Sequence, residues 1–153
     1  MELSGEHTFH APREVVWRTM LDPNVLRETL PGCQRLELVG DDEYEATMKA
    51  GIAAIRGTFT GRVRIADKVE PDSYTMHISG KGPQGQVSGE ARIQLVEQGA
   101  DTLVQYQGSG NVTGMLARVG ARLIQPAAQM VAGQFFKDLE KKTAEATAAD
   151  ATT

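Results

Sequence analysis

Alternation between apolar and polar residues from Cys33 to about Thr113 restricts the possible folds of this chain more than any other feature. Apolar or small residues recur at every second position, as at Phe59, Gly61 and Val63, with polar residues between them. Successive side chains of a β-strand point to opposite faces, so the pattern predicts strands with one dry and one wet face. Such strands are typical of an antiparallel sheet. Turn-forming residues separate about six strands, at Gly40–Asp42, Pro71–Ser73 and Gln98–Asp101, whereas the break within Ala50–Gly57 is less clear.

Different patterns flank this region on both sides. Met1 to Phe9 alternates and predicts a further strand. Pro12 suits the first position of a short helix, and Asp22-Pro23 suits the N-cap and first position of a second helix, which Pro31-Gly32 ends. The segment from about Met115 to Glu145 predicts one long amphipathic helix. Its apolar stripe consists of Leu116, Val119, Leu123, Ala127, Met130, Val131, Phe135 and Leu139.

These elements predict an α+β fold, with a curved antiparallel sheet of about seven strands around a long C-terminal helix and two short helices after the first strand. We expect residues 1–142 to form one domain and residues 143–153, which are small and polar, to form a frayed tail. The dry faces include Gly61, Gly89, Ala46 and Ala91. Small residues there leave room for a cavity, although glycines also mark bends in a sheet around a solid core.

Charge and cysteine content exclude several classes of protein. The formal net charge is −4, which argues against a nucleic-acid-binding surface. The single cysteine, Cys33, allows neither an intramolecular disulfide nor a cysteine metal cluster, so a cytoplasmic location is expected. The polar N-terminus lacks the features of a signal peptide, and no stretch approaches the ~20 apolar residues of a membrane-spanning helix.

Several stretches of the sequence resemble known families. Ala11–Trp17 followed by Leu21–Pro23 is similar to the signature of the START-like, or polyketide cyclase and lipid transport (SRPBCC), superfamily. With further stretches, the chain up to about Leu139 resembles the CoxG family of the carbon monoxide dehydrogenase system. These stretches are Leu30–Cys33, Gly57–Val63, Gly114–Ile124 and Gln134–Phe136.

The resemblance implies a helix-grip (START/Bet v 1-like) fold. It also implies a non-catalytic role beside a molybdenum hydroxylase-type enzyme, at the inner face of the membrane, with a lipophilic electron carrier such as a quinone. Relatives with a C-terminal extension reach the membrane through it. This sequence stops at Thr153, so we expect only weak peripheral membrane contact.

The residues indicate no catalytic or metal site. Cys33 has no base near it in the sequence, and no metal-ligand spacing is present. Among the histidines, alternation places His77 on the wet face and His10 at a corner, so that only His7 faces inward. His7 is interpreted as a core histidine bonded to a backbone carbonyl, as a contact to a ligand head group, or as a general base. Tyr74 and Tyr106 face inward as core aromatics or as donors to a bound carbonyl.

The favoured hypothesis is a carrier that holds a lipophilic small molecule, with no covalently bound cofactor but with a possible non-covalent quinone or lipid. The alternatives are a small enzyme of the cyclase or dehydratase type and an assembly factor. The predicted cavity lining is Leu26, Leu30, Met48, Phe59, Val63, Tyr74, Met76, Ile78, Tyr106, Leu116, Val119, Leu123, Ala127, Met130 and His7. Arg27, Arg118 and Arg122 are predicted to contact a membrane or partner, or to form a solvated helix face.

Overall fold

A computed structural model describes residues 1–52 and 55–152. The strands are β1 (Glu2–Phe9), β2 (Cys33–Gly40), β3 (Glu43–Ile52), β4 (Ile55–Val69), β5 (Ser73–Gly82), β6 (Gly85–Gln98) and β7 (Asp101–Thr113). The helices are α1 (Arg13–Met20), α2 (Pro23–Thr29), α3 (Met115–Val119) and α4 (Ala121–Thr152). The chain thus has the element order that the sequence predicts, except that the last helix is divided.

The strands form one seven-stranded antiparallel sheet in the order β1-β7-β6-β5-β4-β3-β2. Successive strands from β2 to β7 are neighbours, and β1 pairs with β7. The predicted α+β helix-grip fold is therefore confirmed. The weak boundary within Ala50–Gly57 is the β3–β4 connection, whose residues 53 and 54 lie outside the described residues.

Side chains on the inner face of the sheet change in size along the strands. At one end they are bulky and buried, as at Ile93, Val104 and Tyr74, and α1, α2 and the second half of α4 pack against them. At the other end Gly89 of β6 pairs with Gly110 of β7, and Ala91 pairs with Gly108. The core is consequently solid at the first end, and space remains beneath the start of α4 at the second.

Glycines on the inner face also allow neighbouring strands to approach closely. A Cβ at Gly61 would lie 2.5 Å from the Ser79 carbonyl oxygen, and one at Gly89 would lie 2.8 Å from that of Ser109. No real side chain tolerates such contacts without movement of the backbone. Both interpretations of these glycines hold, because they accommodate the bend of the sheet and leave space on its inner face.

The two short helices follow the predicted capping chemistry. The Asn24 backbone N–H donates to Asp22 Oδ1 over 2.9 Å, and Pro23 occupies the first helical position. Pro12 lies immediately before α1 and not within it. Trp17 and Met20 of α1 are buried in the solid end of the core.

The prediction of one continuous helix from Met115 is wrong. Gly120 has φ 86° and ψ 155°, which no helix accommodates, so α3 ends there and α4 begins in a new phase. Leu123 and Met130 are consequently 56% and 58% exposed, whereas Ile124 is buried. Helix α4 also continues to Thr152 with Thr143 buried, so helical structure extends into the predicted tail.

Candidate functional site

A cavity of about 430 Å³ lies between the first half of α4 and the inner face of the sheet. Its volume falls within the range of small-molecule sites, roughly 300–1,000 Å³. Gly89, Ala91, Gly108 and Gly110 line it on the sheet side, so the missing side chains of β6 and β7 create the space. The wall of α4 consists of Ile124, Ala127, Ala128, Val131, Ala132, Phe135 and Phe136.

Aromatic rings close the inner end of the cavity. The rings of Tyr106 and Phe136 are stacked with centroids 4.6 Å apart, and Phe135 meets Phe136 edge to face at 5.2 Å. The Tyr106 ring lies over Gly5 of β1, where a Cβ would come within 2.5 Å of the phenol oxygen. A glycine at position 5 is therefore a requirement for this position of the ring.

Two glutamines of α4 join the helix to the edge strand β1. Gln125 Nε2 donates to the Glu2 carbonyl oxygen over 2.8 Å, and Gln129 Nε2 lies 3.3 Å from the Ser4 carbonyl oxygen. These bonds occupy backbone acceptors at the edge of the sheet, which closes the cavity on the β1 side. Ile78 of β5 lines the cavity and yet is 43% exposed, so the cavity is open to solvent.

Helix α3 covers part of this space. Leu116 is 1% exposed and lines the cavity, whereas the preceding Met115 is 64% exposed. The Leu116 backbone N–H donates to the Gln84 carbonyl oxygen over 2.8 Å, which attaches α3 to the β5–β6 hairpin. Gly114 and Gly120, both with positive φ, bound this short helix.

The structure brings together only part of the predicted lining. The predicted residues that line the cavity are Leu30, Met48, Met76, Ile78, Tyr106, Leu116 and Ala127. Those packed within the protein but outside the lining are Leu26, Phe59, Val63 and Tyr74. Leu123 and Met130 are exposed and Val119 is half-buried, all outside the lining, because the phase changes at Gly120. Spacing counted from Ile124 would have identified the α4 residues that the prediction missed.

His7 has neither of the polar partners considered for it. Its Nε2 lies 2.5 Å from Glu140 Oε2 of α4, and the residue is outside the cavity lining. Glu140 Oε1 is also 3.9 Å from His10 Nε2, and His10 Nδ1 is 3.4 Å from Asp101. His7 thus joins β1 to α4 at the surface, and the predicted bond to a backbone carbonyl is wrong.

Tyr74 and Cys33 are in surroundings that suppress ionisation. Burial raises the pKa of the Tyr74 hydroxyl, which is fully buried, has no hydrogen bond partner among the described residues, and packs edge to face on Trp17. Burial also raises the pKa of the Cys33 thiol, so the reactive thiolate is disfavoured. Within the described residues, no group of three or more His, Cys, Asp or Glu is placed to hold a metal ion.

The three arginines predicted to contact a membrane or partner are exposed. Arg27 lies on α2, Arg118 on α3 and Arg122 at the start of α4. Arg118 and Arg122 thus flank the Gly120 break next to the cavity residues Leu116 and Ile124. No helix in the described part of the chain has both the length and the apolar composition required to cross a membrane.

Residues 5–144 match the sequence pattern of the carbon monoxide dehydrogenase CoxG family. The chain belongs to the CoxG family. This family is one of accessory subunits, which agrees with the ligand-binding type of fold described above. No curated protein sequence is similar enough to this chain to count as a match.

Solved structures similar to this CoxG-family chain share its fold. A conserved protein from Geobacillus kaustophilus is 31% identical with a TM-score of 0.91, over 95% of this chain and 96% of that one. Ara h 8.0201 is 17% identical with a TM-score of 0.70, over 95% and 98%. The Zhui aromatase/cyclase from Streptomyces sp. R1128 is 12% identical with a TM-score of 0.69, over 94% and 93%. At such low identities, the last two show the fold alone.

Proposed function

We propose that this protein is a non-catalytic carrier that holds a lipophilic small molecule, quinone-like or lipid-like, in its cavity. The proposed partner is a molybdenum-containing enzyme of the carbon monoxide dehydrogenase type, consistent with membership of the CoxG family. The observation that carries the proposal is the open, apolar cavity of about 430 Å³ beneath α4.

The chemistry of the lining favours binding over catalysis. Its inward side chains are aliphatic or aromatic, such as Met48, Ile78 and Phe135. Apolar surface buried against them stabilises a complex by roughly 25 cal/mol per Å². General acid–base catalysis requires titratable groups that face the bound molecule. The close His7–Glu140 pair lies outside the described lining of the cavity.

The surface around α3 is suited to exchange with a membrane. Met115 and Leu123 are exposed on either side of the Gly120 break, and Arg118 and Arg122 lie between or beside them. Apolar side chains next to cations bind weakly to anionic membrane surfaces, to which each cation contributes up to about 1 kcal/mol. We therefore place the protein in the cytoplasm, with reversible contact at the inner face of the membrane through Arg118, Arg122 and Arg27.

Native mass spectrometry of gently purified protein tests the carrier proposal. We expect an adduct that collisional activation releases as a neutral lipophile, and uptake of a neutral apolar dye such as Nile red by the emptied protein. A protein that carries no adduct and takes up no apolar dye would contradict the proposal.

A cyclase-type activity is the second candidate, because an aromatase/cyclase shares the fold. Replacement of His7 by Gln separates the two candidates. If the protein is a carrier, the activity of the partner enzyme system falls by less than about tenfold, equivalent to ~1.4 kcal/mol. A thousandfold loss in a reaction that this chain catalyses alone would instead support the cyclase.

A further inference from the structure

The cavity contains very few polar groups that a ligand can reach. Its polar lining residues are Tyr106, Ser88, Glu90, Ser109 and Asn111. Ser88 pairs with Asn111 and Glu90 pairs with Ser109 across β6 and β7, at positions that alternate with the inward Gly89, Gly108 and Gly110. Glu90 lies near His77 on the outer face, with 3.5 Å between Oε2 and Nδ1. Among the described lining residues, Tyr106 thus has the only inward-facing polar side chain.

The hydrogen bonds of Tyr106 determine what this phenol offers. Gln129 Nε2 donates to Tyr106 Oη over 3.0 Å. A hydroxyl has one hydrogen to donate, and in the described part of the chain no group accepts the phenol hydrogen of Tyr106. The group can therefore act as a donor towards a bound molecule.

The absence of inward-facing charged side chains in the described lining restricts the ligand further. A buried carboxylate or phosphate without a cation costs several kcal/mol, which is more than one phenol hydrogen bond returns. A neutral carbonyl group loses much less on desolvation, and a single donor satisfies it. The lining therefore discriminates between polar groups by charge.

We propose that Tyr106 selects an uncharged lipophile with a hydrogen bond acceptor, such as a ketone or quinone carbonyl, and that the acceptor binds at the Tyr106 end. The aliphatic part then lies along the glycine and alanine positions of β6 and β7, towards the exposed Ile78. This inference rests on the proposed carrier function and specifies the chemistry and orientation of its ligand. Fatty acids and phospholipids are excluded from the class.

Gly5 acts as a positioning residue for this contact. Its backbone supports the phenol ring from the β1 side, while Phe136 stacks on the ring with an interplanar angle of 13°. A methyl group at position 5 would overlap the phenol oxygen and displace the ring towards the cavity. Gly5→Ala therefore alters the Tyr106 contact without changing a cavity-lining residue.

Displacement of Nile red by matched probes tests the proposal. The probes are 2-tridecanone, which is a neutral acceptor, dodecanoate, which is an anion, and tridecane, which has no polar group. We expect the wild type to bind 2-tridecanone at least tenfold more tightly than dodecanoate at pH 8. Tyr106→Phe keeps the ring and should weaken 2-tridecanone binding about five- to tenfold, the effect of one hydrogen bond, without changing tridecane binding.

Tyr74→Phe is the matched control, because it removes a tyrosine hydroxyl outside the cavity and should change neither affinity. Gly5→Ala should weaken 2-tridecanone binding more than tridecane binding. Equal affinity of the wild type for the ketone and the carboxylate would overturn the inference even if the variants fold poorly. So would an unchanged ketone affinity in folded Tyr106→Phe. Failure of every probe, tridecane included, would overturn the carrier function itself.

Discussion

The ring of Phe59 lies directly over Gly82, where a Cβ would be 2.6 Å from Phe59 Cδ2. Phe59 on β4 is 8% exposed and lies outside the cavity lining. The residue, which alternation assigned to the ligand site, therefore packs against the backbone of the neighbouring strand β5.

Gly82→Ala should destabilise the protein, because the added methyl group forces the Phe59 ring from its position. Overpacking of this kind costs about 1–3 kcal/mol, which chemical denaturation measures. Gly133→Ala is the control, since a Cβ there meets nothing within 4 Å and alanine in a helix is favoured over glycine by roughly 0.5–1 kcal/mol. Equal stability of the two variants would show that Phe59 does not depend on Gly82.

Ala128→Phe should block ligand uptake with little loss of stability. Ala128 is half-buried in the α4 wall, and its larger replacement enters existing space. Ala144→Phe places the same residue on an exposed turn of the same helix and should leave uptake unchanged. Nile red binding and thermal unfolding measure the two effects. A large fall in melting temperature specific to Ala128→Phe would indicate that this part of the core is solid.

The sheet could be predicted from the sequence because alternation with a period of two is visible wherever one face is dry. The same pattern could not separate core from cavity lining. Tyr74 and Tyr106 alternate in the same way, but Tyr74 is packed against Trp17 and Tyr106 lines the cavity. The difference depends on which part of α4 lies opposite each residue, and this is a long-range property.

The phase of α4 was the main error in the site prediction. A helical period extended from Leu116 through Val119 leads to Leu123 and Met130, which are exposed. The signal that would have corrected it is Gly120, since glycine commonly ends a helix with a positive φ. Restarting the period after Gly120 gives Ile124, Ala128 and Val131, all in the cavity wall.

Leu116→Ala should accelerate ligand exchange more than it changes affinity. Leu116 is the buried contact between α3 and the cavity, so a smaller side chain weakens the cover. Association and dissociation rates of Nile red, followed by stopped flow, should both rise. Met115→Ala alters the neighbouring exposed side chain and should leave both rates unchanged. If only the dissociation rate rises, Leu116 contributes to binding and does not gate it.

Lys142→Met should raise the pKa of Glu28 towards its ordinary value of 4.5. A hydrogen bond from Lys142, followed by its charge, lowers the pKa of Glu28, and Lys142 Nζ lies 2.6 Å from Glu28 Oε2. The pair stabilises the folded state above pH 4.5, and this contribution is lost as the pH falls through the lowered pKa. NMR titration of the Glu28 carboxyl carbon measures the change, and an identical titration in both proteins would show that the ion pair does not persist in solution.

Binding to anionic vesicles should depend on Arg118 and Arg122. These exposed cations accompany the apolar Met115 and Leu123 around the Gly120 break, so their replacement by alanine removes the attraction to lipid phosphates. We expect the wild type to sediment with vesicles rich in phosphatidylglycerol at low salt, less at high salt, and not with neutral vesicles.

Lys137→Ala/Lys141→Ala is the matched control, because it removes the same charge from exposed positions further along α4. It should bind anionic vesicles better than the Arg118→Ala/Arg122→Ala variant, since contact is local to the start of the helix, next to the cavity. If the two double variants lose binding equally, the attraction depends on net charge alone. Binding that is absent in every case would leave delivery of the ligand to direct contact with the partner enzyme.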